Sequence, residues 1–237
     1  MLIHSGAALL IALGVCVSLP AESIEGTVII KKRLTRPRVT ASLPLYARGT
    51  PVELDSDPAT APLAYERSRV AVYVEGSFPP SPATPPAKME QAGRRFSPEL
   101  LVVEAGSRVS FPNSDPIFHN VFSLSKPKIF DLGNYPKGDT RLVTFSQPGI
   151  VYVNCHLHSN MTGTIVVAPN RWHTTVDRNG AFVLDDMPPG EYTVVAWHKA
   201  AGFFRRQVRI VAGQVGKVEF LIPIDENGHR LDQSTPR

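Results

Sequence analysis

A cysteine, a histidine and a methionine follow one another at intervals of three residues in the second half of the chain. They are Cys155, His158 and Met161, within the string YVNCHLHSNMTGTIVV that runs from Tyr152 to Val167. A thiolate, an imidazole and a thioether are all metal ligands, and three ligands from so short a segment converge on one ion only if the chain turns back around it. Soft sulfur stabilises Cu(I), whereas imidazole serves both oxidation states of copper. The spacing and the ligand types therefore predict an electron-transfer copper site in a loop between two strands.

A copper site of this type takes a second histidine as a further ligand. His119 is the best candidate, because the segment Asn113–Val121 follows a predicted strand, and we expect that segment to form a separate loop. His156 is an alternative to His158, although its position next to Cys155 turns its side chain away if the strand continues. The other histidines beyond the N-terminal segment have no cysteine or second histidine at ligand spacing and are expected to be ordinary surface or partly buried residues: His173, His198 and His229.

Both ligand segments resemble those of one protein family. The pattern C-x-x-H-x-x-M followed by T-G-T-I-V-V resembles the short ligand loop of amicyanin, and F-H-N-V at 118–121 resembles the upstream histidine loop of amicyanins and plastocyanins. The stretch from Met89 to Ser123 is also similar to cupredoxin-like proteins often labelled methylamine utilization proteins, a label from which we infer no pathway. The resemblance implies a Greek-key cupredoxin β-sandwich that holds one type 1 copper ion with these ligands: His119, Cys155, His158 and Met161.

The resemblance also implies a role for the residue after the upstream histidine. In the family this residue is commonly asparagine, which ties the two ligand loops together and helps to hold the cysteine sulfur. Asn120 stands at this position and is our candidate for that role. Two features depart from the family pattern. His156 follows the cysteine in place of a small polar residue, and Leu157 and Ser159 stand where amicyanin-like loops carry prolines, so we expect a less rigid loop.

Short segments of high β-propensity recur between turns that contain glycine or proline, and the apolar period of a helix is not sustained beyond the N-terminal segment. Such strands are typical of an all-β sandwich, and we expect a cupredoxin domain over residues 23–169. Within it we expect an irregular insertion at 31–68 and a Pro-rich surface loop at 78–88, because proline does not fit an interior strand. The predicted strands are Ile24–Ile30, Arg69–Glu75, Leu100–Glu104, Ser107–Pro112, Arg141–Phe145, Ile150–Asn154 and Thr164–Ala168.

A second block of strands follows residue 170. The pattern D-x-N-G-x-F-x-L-x-x-M-P-P-G-x-Y-x-V-x-A-W-H resembles carboxypeptidase regulatory-like or transthyretin-like domains, which implies a small separate β-sandwich over residues 170–224. The polar tail 225–237 is expected to be frayed. The predicted strands of this block are Trp172–Val176, Ala181–Leu184, Glu191–His198, Gln207–Val211 and Lys217–Ile222.

The N-terminal segment 1–22 is a nearly uncharged apolar run that ends in small residues and proline. This pattern predicts a secretory signal and therefore a periplasmic or otherwise exported protein. A retained membrane anchor is the alternative. Removal of the signal leaves Cys155 as the single cysteine, so an internal disulfide is excluded and the thiol needs another explanation.

The formal net charge of +4 is unevenly distributed along the chain. Between Gly26 and Val52 there are six basic residues and no acidic residue. This run, which spans residues 31–48, predicts either a solvated loop or a contact surface for an acidic protein or a membrane. Because the sequence has no aromatic interleaving and no nucleic-acid motif, we expect no nucleic-acid partner.

A copper site with four protein ligands has no open position, so it suits the passage of one electron better than the turnover of a substrate. Histidine triplets typical of a second copper centre are absent from the sequence, as are serine-hydrolase, phosphate-loop and dinucleotide motifs. We therefore expect an electron carrier that is not an enzyme, with a redox partner protein that docks on an apolar rim around a ligand histidine. The alternatives are a copper-binding or copper-delivery protein and a structural or adhesion module without a redox role.

Overall fold

The computed structural model describes residues 22–34, 63–82 and 84–222. This part of the chain is almost entirely β-structure, which confirms the predicted fold class, and it contains one short helix, α1 (Ala64–Arg67). The strands are β1 (Ile24–Ile30), β2 (Val70–Val74), β3 (Ala87–Lys88), β4 (Glu90–Ala92), β5 (Arg95–Ser97), β6 (Leu100–Glu104), β7 (Ser107–Pro112), β8 (His119–Ser125), β9 (Lys128–Tyr135), β10 (Thr140–Phe145), β11 (Gly149–Asn154), β12 (Thr162–Ala168), β13 (His173–Thr175), β14 (Ala181–Leu184), β15 (Gly190–His198), β16 (Gly202–Ile210) and β17 (Gly216–Ile222).

Several predicted features lie wholly or partly outside the described residues, among them the basic run 31–48, of which only residues 31–34 are described. The signal segment 1–22 lies outside them except for its last residue, and the tail 225–237 lies outside them entirely. Of the insertion 31–68, residues 31–34 and 63–68 are described, and α1 lies in the second piece. Within the described ranges, no helix combines the length and apolar character needed to cross a membrane.

Two sheets form the sandwich that carries the predicted ligands. The larger has five strands in the order β6-β12-β11-β8-β9, and the smaller has three in the order β10-β7-β3. The loop 155–161 joins the antiparallel neighbours β11 and β12. Because β8 is antiparallel to β11, the start of β8 lies beside the end of β11. The larger sheet thereby brings the two predicted ligand segments together.

Side chains that alternate along the strands fill the space between these two sheets, since successive residues of a strand point to opposite faces. Val151 and Val153 of β11 and Phe111 of β7 are fully buried there. Burial of side chains of this size stabilises the fold by roughly 1.5–3 kcal/mol each. Cys155 and Met161 belong to the same apolar cluster. The ligand loop is thus anchored in the core at both of its ends.

The second sandwich includes two strands from the N-terminal part of the chain. Its sheets have the orders β14-β1-β17 and β13-β2-β15-β16. β1 pairs in parallel with β17 along its whole length, and β2 pairs antiparallel with β15. The expectation that β1 and β2 belong to a first domain over 23–169, with the second confined to 170–224, is therefore wrong. Strand propensity marks a strand but does not say which sheet it joins, and inward side chains such as Ile24 and Val72 complete the second core.

The two sandwiches pack directly against each other. Trp197 of β15 meets Leu100 of β6 and Val166 of β12 in a buried apolar cluster. Close to this contact, the Arg69 guanidinium lies 2.5 Å from the Glu99 carboxylate. The site-bearing sandwich spans β3 to β12 and is inserted between β2 and β13 of the other sandwich. The likeness of that other sandwich to carboxypeptidase regulatory-like domains stays a prediction.

The sequence pattern misses the hairpin formed by β8 and β9. Polar residues such as Asn120, Ser123 and Asp131 interrupt the apolar alternation of both strands, so the segment has the composition of a loop. His119, expected in a loop, is instead the first residue of β8. In the predicted Pro-rich loop 78–88, residues 78–82 and 84–86 have no regular structure, whereas its last two residues form β3 at a sheet edge.

Candidate metal centre

Side-chain hydrogen bonds fold the segment between β7 and β8 into a compact turn. The Asn113 amide donates to the carbonyls of Ile117 (2.9 Å) and Tyr135 (3.0 Å), and its oxygen accepts the backbone N–H of Asp115 (3.0 Å). Asparagine favours turns of this kind because its side chain can replace a backbone partner. The turn delivers His119 to the start of β8, where its ring is completely buried.

The His119 ring lies between a carboxylate and a thiol. Its Nε2 is 2.7 Å from Oδ2 of Asp115, and its Nδ1 is 3.9 Å from Sγ of Cys155. Asp115 also accepts the backbone N–H groups of Gly93 (2.6 Å) and Arg94 (2.8 Å). Burial opposes ionisation of Asp115, but the hydrogen bonds from Arg94, His119 and Gly93 outweigh it and hold the pKa of Asp115 below its ordinary value. Nδ1 is therefore the nitrogen of His119 that faces the thiol.

The loop between β11 and β12 is closed by two backbone hydrogen bonds. The N–H of Cys155 donates to the carbonyl of Met161 (3.2 Å), and the N–H of Met161 donates to the carbonyl of His158 (2.9 Å). The loop starts and ends on paired strands, because Asn154 and Thr162 are opposite each other in the ladder of β11 and β12. Cys155 and Met161 are buried, whereas His158 is partly exposed. The loop thus presents its thiol and imidazole from a fixed base.

The thiol and the two imidazoles are spaced like ligands around one ion. Sγ of Cys155 lies 3.7 Å from Nδ1 of His158 and 3.9 Å from Nδ1 of His119, and the centroids of the two rings are 4.8 Å apart. Metal bonds of about 2.0–2.3 Å to nitrogen and sulfur span such separations from a single centre. In the part of the chain that the structure describes, this is the one group of three or more His, Cys, Asp or Glu side chains that could hold a metal ion. One thiolate with two imidazoles is a donor set that fits copper.

Met161 occupies the last position of the loop and is buried in the same apolar cluster as Cys155. The backbone hydrogen bond between these two residues keeps the start and the end of the loop together. Such a position suits a weak axial ligand, and it also suits a methionine that only fills the core. The axial role of Met161 is therefore a prediction.

His158 is the more exposed of the two clustered histidines. Burial, followed by the neighbouring His119 and Arg94, lowers the pKa of His158 below its ordinary value. The ring is therefore neutral at neutral pH, which is the form that binds a metal. Three exposed apolar side chains flank the histidines in the two ligand segments: Ile117, Phe118 and Leu157.

Asn120 connects the two ligand segments through both its backbone and its side chain. Its backbone N–H donates to Sγ of Cys155 (3.4 Å), and its side-chain oxygen accepts the backbone N–H of His156 (3.4 Å). Its side-chain amide donates to Asp131 of β9 (2.6 Å). A hydrogen bond to the sulfur favours the thiolate, the form that binds a metal. The role of Asn120 beside a metal-bound cysteine stays a prediction.

His156 lies outside the cluster. Its ring stacks on Phe122 with centroids 3.7 Å apart and an interplanar angle of 5°. Its Nε2 is 3.3 Å from Oδ2 of Asp131, and the side chain is about half exposed. The structure therefore brings His158, and not His156, to the thiol.

The remaining histidines belong to the second sandwich or lie outside the described residues. His198 is completely buried, with Nε2 3.2 Å from Oε2 of Glu66, and burial is the main cause that lowers its pKa. The expectation of a surface or partly buried position is therefore wrong for His198. His173 is partly buried at the start of β13, as expected, and His229 lies outside the described residues.

The sequence interpretation identifies neither Asp115 nor Asp131. Asp115 stands four residues before His119, in a turn that Asn113 and Pro116 make predictable. A carboxylate that close to a histidine ligand is a common partner for its second nitrogen, so a signal for Asp115 exists in the sequence. Asp131 gives no such signal, because it reaches its partners only when β8 pairs with β9.

No protein-family model and no curated protein matches this chain. Among solved structures, a copper-containing nitrite reductase from Thermus scotoductus is 23% identical to this chain. The match covers 40% of this chain and 25% of that protein, with a TM-score of 0.35. A purple cupredoxin from Nitrosopumilus maritimus is 24% identical over 34% of this chain and 98% of its own length, with a TM-score of 0.32. A reduced variant of amicyanin is 20% identical over 40% of this chain and 97% of its own length, with a TM-score of 0.34. Overlaps of this extent are local and do not decide a function.

Proposed function

We propose that this protein binds one copper ion through His119, Cys155, His158 and Met161 and carries single electrons between redox partners. The observation that supports the proposal most directly is the buried thiol, whose sulfur lies 3.7 and 3.9 Å from Nδ1 of two histidines. Bound copper would supply a Cu(I)/Cu(II) couple at this position. The donor set suits both states, since sulfur favours Cu(I) and imidazole serves Cu(I) and Cu(II).

The side chains around the ligands limit movement when the charge of the site changes. His119 is held by β8 and by Asp115, and the Cys155 sulfur accepts the N–H of Asn120. The loop 155–161 begins and ends on paired strands. Four ligands would leave no position for a substrate, and three of the four proposed ligands are buried: His119, Cys155 and Met161. These features favour electron transfer over catalysis, so we propose that the protein is not an enzyme.

The redox partner is proposed to dock on the apolar rim formed by Ile117, Phe118 and Leu157. These side chains are 40%, 56% and 48% exposed and neighbour the two histidines along the chain. Exposed apolar side chains commonly mark protein contact sites, and Leu157 is the chain neighbour of His158, the partly exposed ligand of the proposal. We also propose that the protein is exported, as segment 1–22 indicates. The basic run 31–48 is proposed to contact an acidic protein or a membrane surface.

Copper delivery is the second candidate function, and the partial exposure of His158 favours it. A ligand on an exposed loop can leave the metal more readily than a ligand at the start of a strand. The prolines of amicyanin-like loops are replaced here by Leu157 and Ser159. The two candidates differ in what happens on reduction, since a carrier keeps its copper and a delivery protein hands it on.

The test is to purify the protein, add Cu(II), and record visible and electron paramagnetic resonance spectra, with Cys155→Ser as the matched variant. We expect an intense blue thiolate-to-copper band and a narrow copper hyperfine splitting, both of which survive repeated reduction and reoxidation. Cys155→Ser keeps nearly the same shape and should lose both signals because the thiolate is gone. A colourless Cu(II) complex of the unchanged protein would contradict the proposal. Loss of copper to a Cu(I) chelator at each reduction would favour delivery.

A further inference from the structure

We propose that Asp115 is a positioning residue of the metal centre: it fixes the His119 ring with Nδ1 toward the metal, and its negative charge lowers the reduction potential of the bound copper. The first half concerns only the protein's own side chains. The second half rests on the function proposed above. Neither the ligand motif nor the family resemblance assigns a role to this residue.

The contact between Asp115 and His119 leaves one arrangement for the neutral ring. Nε2 lies 2.7 Å from the carboxylate oxygen, so the ring proton is placed on Nε2 and is donated to Oδ2. Nδ1 then carries a lone pair on the side of the Cys155 sulfur, 3.9 Å away. A flip of the ring would break the hydrogen bond of a fully buried imidazole, which is costly because its N–H would lose its acceptor. The carboxylate therefore decides which nitrogen is available to a metal.

Asp115 is itself held by backbone groups that do not depend on His119. Its oxygens accept the N–H groups of Gly93 and Arg94 at 2.6 and 2.8 Å, and its own N–H donates to Asn113 at 3.0 Å. Gly93 and Arg94 have φ angles of 60° and 57°, in the left-handed region. That conformation is unfavourable for a non-glycine residue, and here it aims two successive N–H groups at one carboxylate. The strained turn between β4 and β5 thus holds an acceptor in place for the histidine.

The negative charge matters because the site is buried. A carboxylate one imidazole away from the metal favours Cu(II) over the less positive Cu(I), and a buried environment screens that interaction less than water does. The hydrogen bond also makes the His119 ring a stronger electron donor. His158 instead contacts the Cys155 sulfur and the His119 ring. Asp115 thus acts on the site through one histidine.

Two substitutions separate the position of the ring from the charge behind it. Asp115→Asn removes the charge but keeps an oxygen that can accept the hydrogen of Nε2. Asp115→Ala removes both the charge and the acceptor. Asp139→Asn is the matched control, because it removes a carboxylate from a partly exposed position of the same sandwich, where Asp139 faces Arg141 at 3.6 Å.

The claim that Asp115 fixes the His119 ring is tested on metal-free protein whose histidines are labelled with nitrogen-15. Nitrogen chemical shifts distinguish a protonated from an unprotonated ring nitrogen. We expect His119 to carry its proton on Nε2 in the unchanged protein and in Asp115→Asn, and to lose this preference in Asp115→Ala. A proton on Nδ1 in the unchanged protein would overturn the positioning role. This result does not require the Ala variant to fold.

The claim that the charge of Asp115 lowers the reduction potential is tested by redox titration of the copper-loaded protein. We expect Asp115→Asn to raise the reduction potential while the blue band is kept, and Asp139→Asn to shift the potential far less. Equal potentials for Asp115→Asn and the unchanged protein would overturn the role of the charge. If the unchanged protein formed no blue copper centre, the proposed function would fail instead, and the tautomer measurement would still decide the positioning role.

Discussion

His119 and His158 offer the same ring nitrogen to the same thiol from two different kinds of backbone. His119 begins a strand, is completely buried and donates to Asp115, whose oxygens accept two backbone N–H groups. His158 lies within the loop 155–161 and is partly exposed. The cluster therefore has a fixed side, formed by His119, and an accessible side, formed by His158, through which electrons or metal would reach the site under the proposed function. Substitutions that treat the two histidines alike should have unlike effects.

His119→Gly should have the largest effect, because it removes the fixed side. The change leaves a cavity under β8 and takes away the partner of the Asp115 carboxylate, so we expect the free energy of unfolding to fall by about 2–5 kcal/mol. The blue copper band should be lost. Denaturant unfolding and a visible copper titration measure the two losses. Added imidazole should not restore the band, because the cavity left by the His119 ring is closed to solvent. Full restoration would contradict the claim that His119 forms the fixed side of the cluster.

His158→Gly should lower the free energy of unfolding less than His119→Gly does, and added imidazole should reverse its effect on the copper band. The ring is partly exposed, so we expect the free energy of unfolding to change by about 1 kcal/mol or less. The blue band should weaken or disappear and return when imidazole is added, because a free ring can enter from solvent. A titration of the copper-loaded variant with imidazole measures the recovery. Failure of the rescue in this variant would remove the distinction between the two sides.

Met161→Leu should have a smaller effect on stability and on the copper band. This substitution tests whether Met161 is a metal ligand or only fills the core. Leucine preserves most of the buried volume, so the free energy of unfolding should change by less than about 1.5 kcal/mol. We expect the blue band to remain and the reduction potential to rise, because a weak thioether donor to Cu(II) is lost. Redox titration against the unchanged protein is the measurement. An unchanged potential would leave Met161 as a filler of the core.

His156→Ala should have the smallest effect on the centre. The ring stacks on Phe122 on the outer face of the sheet and meets Asp131 at 3.3 Å, away from the thiol. We expect the blue band and the potential to stay close to those of the unchanged protein. The same spectra and titration serve as the measurement. Loss of the band comparable to that in His158→Gly would mean that His156 takes part in the site.

The closeness of Cys155 and His158 could be predicted from the sequence because their spacing is local. Cys155, His158 and Met161 lie in one short segment between strand-like runs, so their spacing alone brings them to one end of a sheet. His119 could be chosen as a partner, but its place in a strand could not, because the polar residues of β8 conceal the strand. The role of Asp115 depends on the turn of Gly93 and Arg94, which only tertiary structure brings near.

In the fold, too, local features could be predicted from the sequence, whereas the pairing of distant strands could not. The apolar strand Leu100–Glu104 was predictable in full, because β-branched and apolar residues mark it between turns. The sheets that β1 and β2 join could not be predicted. Alternation shows which side chains of Ile24–Ile30 face a core, but the partner strand Gly216–Ile222 lies at the other end of the described chain. Such pairing is decided by how both cores fill, not by local pattern.

The position of copper in crystals of the copper-loaded protein, located by anomalous scattering at the copper absorption edge, tests the central claim most directly. We predict one ion bonded to Sγ of Cys155 and to Nδ1 of both His119 and His158, at about 2.0–2.3 Å, the range of metal bonds to nitrogen and sulfur in proteins. An ion held by His156, or one that is not bonded to the Cys155 sulfur, would contradict the account.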